Sequence, residues 1–297
     1  MIRHCALALV LLLGVRPVHA QDLGALRARL EGRIAQAPAG AAVGLYYRSL
    51  AGSDSLLVNA HARFHAASTM KVAVMIQLFR DADAGRLSLA DSLRVHADYP
   101  SLVDGSTFLV GKDDDSDSTL YESIGRRVSM RHLLELMETV SSNLATDVLV
   151  ERVDAKRANT TAHALGADSI VVLRGVEDGK AYRAGLNNTT TARDLGVLLT
   201  AIAQHWAASP ASCDSMLAIL GRQHFTEGIP AGLPAGARVY HKTGWIEGVV
   251  YHDAAIVEPP DGKRYVLVVT TGAIKPDSAA YRLVADLSRL VYDAGRQ

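Results

Sequence analysis

Residues 68–79 read Ser68-Thr69-Met70-Lys71-Val72-Ala73-Val74-Met75-Ile76-Gln77-Leu78-Phe79, and this stretch decides the fold. Val72, Met75, Ile76 and Phe79 recur at helical spacing within a run over 72–84, and Gly85 follows as a stop. Residues three apart on a helix share a face, so the Ser68 hydroxyl and the Lys71 amine can meet. Serine is a poor nucleophile until a base takes its proton, and a desolvated neutral lysine can be that base. Ser68 at the helix start also aims backbone N–H groups and the positive end of the helix dipole at any oxyanion formed there. Ser-x-x-Lys alone is a weak signal and needs partners elsewhere in the chain.

Toward the N-terminus, residues 55–59 and 41–47 read as a hairpin across Gly52-Ser53-Asp54, and 23–37 carries Leu26, Leu30 and Ile34 at helical spacing. Before them, Arg3 and His4 precede an apolar run over 5–15, and Val18-His19-Ala20 supplies small residues where a signal peptidase reads. This is a secretory leader, residues 1–20, with cleavage expected after Ala20. The run is too short to span a membrane, and Cys5 lies too early for a lipid anchor, so a soluble, secreted periplasmic protein is expected. Loss of Arg3 and Arg16 from 31 basic residues leaves 29 against 31 acidic ones, a net charge of −2. That balance gives no reason to expect a nucleic-acid partner. Cys213 is the only cysteine beyond the leader, so no intramolecular disulfide is expected and a core drawn from 49% hydrophobic residues must hold the fold.

Toward the C-terminus the pattern turns helical. Ser88 and Ser129 each read as an N-cap, and 130–140, 144–153 and 155–165 are periodic, with Gly166 ending the last. Between them, 98–118 reads as a solvated acidic loop. Its aspartates at 113, 115 and 117 lack the glycine and glutamate of an EF-hand, at Ser118 and Ile124. The eleven histidines show no ligand spacing, so neither metal nor other cofactor is expected. Thr191-Ala192-Arg193-Asp194 resembles a capping box opening a helix to Trp206, and another helix covers 211–220. Strands follow at 238–243, 249–257 and 265–271, with a Pro259-Pro260-Asp261-Gly262 turn, and Asp277 is expected to cap a last helix to Tyr292. Strands near both ends and helices between give an α/β (α+β) fold: one antiparallel sheet flanked by the N- and C-terminal helices, with an inserted all-α lobe. The expected catalytic domain, 21–297, divides into a sheet lobe of about 21–66 and 207–297 and a helical lobe of about 67–206.

Two motifs partner the first. Ser141-Ser142-Asn143 stands before the helix at 144–153, and Lys242-Thr243-Gly244 lies on the first strand of the C-terminal meander. Ser-x-x-Lys, Ser-Asp-Asn and Lys-Thr-Gly together are the signature of class A β-lactamases and penicillin-binding proteins, and nearly the whole mature sequence resembles that family. The resemblance implies a role for each residue. Ser68 would attack an activated amide carbonyl and Lys71 would take its proton, if burial and the Lys242 charge depress its pKa. Ser141 would relay a proton to the leaving nitrogen. Asn143 would donate to the substrate's side-chain amide and brace Lys71. Lys242 and Thr243 would hold the substrate carboxylate, and the N–H groups of Ser68 and Trp245 would form the oxyanion hole, with Gly244 between. Blander roles stand beside these: Ser141 and Asn143 as helix caps, Lys242 as a solvated strand residue, His241 and Trp245 as packing and rim residues, Cys213 as an apolar filler.

The sequence departs from the family at three places. Ser142 replaces an aspartate, with little effect expected. The family's Glu-x-x-Leu-Asn is broken, because Arg183 stands three before Leu186-Asn187. If Arg174 and Asn188-Thr189-Thr190-Thr191 are taken as the loop's ends, the missing carboxylate falls on Glu177, with Asp178 its rival. Asn188 would then cost the loop an ion pair with Arg174. The strand at 249–257 also lacks the arginine that often binds carboxylate. The implied activity is a β-lactam hydrolase working through a Ser68 acyl-enzyme, with a small-molecule β-lactam or a peptidoglycan stem peptide as partner and a monomer expected. A D-Ala-D-Ala carboxypeptidase of the same fold, and a non-catalytic penicillin-binding sensor, are the competing readings.

Overall fold

A computed structural model describes residues 19–295. The expected leader therefore lies outside the described residues apart from His19 and Ala20, which open helix α1 (His19–Ile34). Strands β1 (Ala42–Ser49) and β2 (Ser55–Val58) form the first hairpin, and a two-residue strand β3 (Phe64–His65) leads to the Ser68 segment. Ser68 itself sits in a 3-10 turn, Ala67–Met70, that feeds α2 (Lys71–Asp83). This helix is more deeply placed than its amphipathic spacing suggests: every residue from Lys71 to Phe79 is buried. A helix that is apolar almost all round belongs in the middle of a molecule, and α2 is there.

The next segment corrects the sequence reading. Ser88 caps no helix: its Oγ accepts from Ala90 N at 3.2 Å, while Asp91 accepts from Ser88 N at 2.9 Å. Such local side-chain bonds offer the backbone an alternative to helix. The chain instead makes short strands β4 (Ser92–Arg94), β5 (Asp98–Pro100), β6 (Thr107–Leu109) and β7 (Arg127–Ser129), paired β4–β7 and β5–β6. Ser129 does cap α3 (Met130–Thr139), accepting from His132 N. Then come α4 (Asn143–Val153), α5 (Ala155–Ala164), the short α6 (Gly179–Arg183) and β8 (Thr189–Thr190), which pairs with β3. Thr191 caps α7 (Ala192–Ala203), which stops three residues before Trp206, and Ser209 caps α8 (Pro210–Leu220).

Three long strands follow: β9 (Arg238–Ile246), β10 (Val250–Glu258) and β11 (Tyr265–Gly272), then α9 (Asp277–Ala294). Asp277 is not the cap. Pro276 takes that position, and the Asp277 carboxylate accepts instead from Trp245 Nε1 at 2.8 Å and Gly248 N at 3.0 Å. The five-stranded antiparallel sheet runs β2-β1-β11-β10-β9, so both ends of the chain build it. The alternation of strand side chains divides the core. Val266 and Val268 face the helices around α2, while Leu267 and Val269 face α1 and α9, with Leu30, Leu283 and Leu287 opposite. Both faces of β11 are covered, which is why its sequence reads as an unbroken apolar run.

β9 is an edge strand, and its free edge lies along the Ser68 turn. A Cβ built on Gly244 would stand 2.9 Å from Thr69 Cγ2 and 3.0 Å from both Ala66 O and Thr69 N. Only glycine lets the strand and the turn approach this closely. No helix among the described residues is long and apolar enough to cross a membrane.

Candidate active site

The segment that carries Ser68 is fixed from both sides. Ala66 N donates to Asn188 O at 2.8 Å, and Thr69 Oγ1 donates to Ala66 O at 2.6 Å. His252 on β10 is wholly buried; its Nδ1 accepts from Thr271 N and its Nε2 donates to His65 O at 2.8 Å. Those two bonds select one neutral tautomer, and burial takes the imidazole down to about 4. The left-handed Ala67, φ 45°, then turns the chain into the 3-10 turn.

Lys71 is 0% exposed and donates three hydrogen bonds: to Ser141 O at 2.7 Å, Ser141 Oγ at 3.1 Å and Asn143 Oδ1 at 3.2 Å. An ammonium has three donors, so the charged form is saturated by these contacts and a neutral amine would free a lone pair. Burial first, then the Lys242 charge, lowers Lys71 to about 7, against the pull of Asp115, Glu138 and Asp147. Both causes are those the sequence called for. Lys242 is not a solvated strand residue. It is buried and donates to Ser141 Oγ at 3.0 Å and to Thr243 O at 3.0 Å, and burial lowers its pKa too.

Ser141 thus accepts from both lysines, which leaves its own O–H free to donate. Its backbone is left-handed, φ 61°, a strained geometry for serine that recurs where function over-determines the chain. The helix cap is its neighbour: Ser142 Oγ accepts from Ala145 N. Asp115 completes that cap, accepting from Asn143 N at 2.9 Å and Leu144 N at 2.8 Å, and Asp117 is buried on Thr119 and Leu120. The loop over 98–118 is therefore not simply solvated; two of its aspartates are structural, because unpaired N–H groups at a helix start attract carboxylates.

Asn143 links Lys71 to the loop over 174–188. While its Oδ1 accepts from Lys71, its Nδ2 donates to Glu177 Oε1 at 2.8 Å and to Asp114 O at 3.2 Å. Glu177 opens onto solvent at the cavity mouth and holds a left-handed φ of 59°. Partial burial, with Asp114 adding to it, raises its pKa, while Lys71 opposes. Asp178, its rival, is engaged elsewhere. Burial pushes its carboxyl up, but bonds from Ala181 N, Leu102 N and Ser101 Oγ hold it below its ordinary value. It caps α6 and ties in the β5–β6 hairpin.

As expected, Asn188 makes no ion pair with Arg174, and amide hydrogen bonds close the loop in its place. The Asn188 amide accepts from Leu173 N and Arg174 N and donates to Arg174 O, and Arg174 itself reaches Leu186 O and Asn187 Oδ1. Asp147 on α4 is a residue sequence reasoning missed. Its Oδ1 accepts from Val176 N at 2.6 Å, and a Cβ on Gly175 would fall 2.2 Å from it. Burial raises Asp147 to about 8. An aspartate on the apolar face of the run at 144–153 was the available signal.

Ser68, Asn143, Glu177, Trp245 and Ile246 line one cavity of about 310 Å³ together with His65, Arg174 and Tyr182. Thr243 and Gly244 lie on the adjoining stretch of β9. Trp245 is half exposed and anchored through Asp277; His241 is buried on Asp253 at 2.9 Å. Cys213 is buried, with Sγ 3.6 Å from Ala208 O, and burial raises its thiol. Among the described residues no group of three His, Cys, Asp or Glu is arranged to hold a metal ion.

A sequence model of the β-lactamase enzyme family matches residues 25–294. A β-lactamase of Bacteroides uniformis is 26% identical over 257 residues, covering 82% of this chain and 83% of its own length. Among solved structures, PBP-A superposes with a TM-score of 0.79 at 30% identity, covering 92% of this chain and 96% of its own. A substituted form of PBP-A, captured as an acyl-enzyme with penicillin G, superposes with a TM-score of 0.78 at 30% identity and covers 92% and 97%.

Proposed function

The chain belongs to the β-lactamase enzyme family, and on that premise we propose that it is a secreted, periplasmic serine hydrolase of the class A type, opening β-lactam rings through an acyl-enzyme on Ser68. The observation that carries the proposal is the meeting of Lys71 and Lys242 on Ser141 Oγ beside the cavity that Ser68 lines.

Neutral Lys71 takes the Ser68 proton as Oγ adds to the ring carbonyl. The oxyanion is held by the N–H groups of Ser68 and Trp245, a role supported by the edge of β9 lying against the Ser68 turn. Collapse breaks the C–N bond, and the nitrogen takes the Ser141 hydroxyl proton, which Lys71 replaces. Lys242 and Thr243 hold the substrate carboxylate. Asn143 donates to the side-chain amide. For release, Glu177 takes a proton from water as the oxygen adds to the ester; the ester C–O bond then breaks, and the proton that Glu177 took passes to the Ser68 oxygen, which leaves Glu177 ionised again. Glu177 is supported by its place on the cavity wall and by Asn143, which couples it to Lys71.

A second reading, D-Ala-D-Ala carboxypeptidase, draws on one observation: β10 carries no arginine, so Lys242 and Thr243 hold the carboxylate alone. Turnover separates the two. Many cycles on a chromogenic cephalosporin, lost in Ser68→Ala, are expected; a stable adduct after one cycle in the wild type would favour the peptidase.

A further inference from the structure

Glu138, in the last turn of α3, has no task in the steps above. It is 1% exposed, and neither carboxylate oxygen has a hydrogen-bond partner. An unpartnered carboxylate inside a protein is costly, and such a group calls for a reason. Its place in the sequence is itself odd. Leu134 lies one turn earlier on the same face, so Glu138 occupies an apolar position of the helix. Ser141 is three residues further on.

The charges around it are unequal. Burial is the larger influence and pushes the Glu138 carboxyl up to about 7, against the attraction of Lys242 on β9 and, after it, Lys71 on α2. In return Glu138, more than Asp253 of β10, favours the charged form of Lys242, and it joins Asp115 of the loop over 98–118 and Asp147 of α4 in favouring the charged form of Lys71. Just beyond the end of α8, Arg222 is engaged by Glu135 of α3, and Gln223 Nε2 donates to the Glu138 carbonyl rather than to its carboxylate. Glu138 thus lies buried three residues before Ser141, the hydroxyl on which both lysines meet, and its carboxylate bonds neither of them.

We propose that Glu138 is the shared counter-charge of Lys71 and Lys242, a positioning residue that sets how much positive charge the two lysines carry around Ser141. The inference rests on the acyl-transfer reading of Ser68. Two lysines meeting on one hydroxyl repel each other, and desolvation alone would strip both. The reaction wants them in different states: Lys71 neutral to take a proton, Lys242 cationic to hold a carboxylate. A carboxylate behind both, bonded to neither, raises the two together without blocking a donor that Ser141 needs.

The test is the pH profile of Ser68 acylation by a fluorescent penicillin, in the wild type, Glu138→Gln, Glu138→Met and Glu138→Asp. Removing the negative charge makes both ammonium ions easier to deprotonate. The alkaline limb, set by Lys242, should move down by about one pH unit in the Gln and Met variants, and the acid limb, set by Lys71 in the range where Glu138 itself titrates, should move down by less. Asp keeps the charge and should restore most of the shift. Neither oxygen has a partner to strand, so Gln and Met should fold; a merely structural role would lower the profile without moving its limbs. The lysine titrations are read separately by ¹³Cε NMR of ¹³C-lysine protein, so a wild type that never acylates refutes the Ser68 reading while the Glu138 inference is still decided. Lysine titrations and limbs unmoved in Glu138→Gln would overturn the inference.

Discussion

Ser141 Oγ is the atom on which Lys71 and Lys242 converge, and the behaviour of the site follows from which of them carries a proton. With Lys71 lowered to about 7, it is protonated and unable to act as base below that pH. Acylation should therefore rise with pH through about 7, and fall again where Lys242 loses its charge. A stopped-flow profile with a chromogenic cephalosporin checks this; a rate flat from pH 5 to 8 would contradict it. Lys71→Ala should slow acylation on the order of a hundredfold or more, the usual scale of lost proton transfer, with Ser68 still present. The three motif residues Ser68, Lys71 and Lys242 were legible in the sequence, because each motif keeps a fixed spacing on its element. Glu138 and Asp147 were not singled out. Both sit on helices that carry other, less buried acids, Glu135 on α3 and Glu151 on α4, so each looks like one more solvated position until the packing shows that it is buried.

Two elements hold the constellation, and each gives a prediction. β9 must lie against the Ser68 turn, and Gly244 is what permits it. A Cβ there would meet backbone atoms at 3.0 Å, which cannot yield as a flexible side chain does. Gly244→Ala should push strand and turn apart and cost acylation at least tenfold, with the melting temperature less affected than the rate. Labelling as fast as the wild type would contradict that close approach. The other element is the loop over 174–188, pinned by Asp147 to Val176 N. Asp147→Ala should leave acylation within a few-fold and slow release at least tenfold, since Glu177 loses its support. Asp147→Asn keeps an acceptor and should behave nearly as the wild type. Most helices and strands were read from periodicity and caps, yet Ser88 and Asp277 were misread, each for its own reason. Serine and aspartate bond nearby backbone in turns as readily as at helix starts, and Asp277 found Trp245 and Gly248, far away in sequence.

At the scale of the whole molecule, the antiparallel sheet built from both chain ends was visible as strands near each terminus and helices between. The short pairings β4–β7 and β5–β6 were not, since two or three residues carry too little alternation to read. The structural role of the aspartates over 113–117 was hidden likewise, because charge density alone says solvent. Export belongs to this scale. Protein secreted to the periplasm should begin at Gln21, and N-terminal sequencing that finds Met1 would count against it.

The central claim is an acyl-enzyme on Ser68 that water releases with Glu177 as base, and time-resolved mass spectrometry with penicillin G tests it most directly. The wild type should show a transient adduct on the Ser68 peptide that clears as product accumulates, while Glu177→Gln forms the same adduct and keeps it. No adduct in either protein, or clearance in Glu177→Gln as fast as in the wild type, would contradict the account.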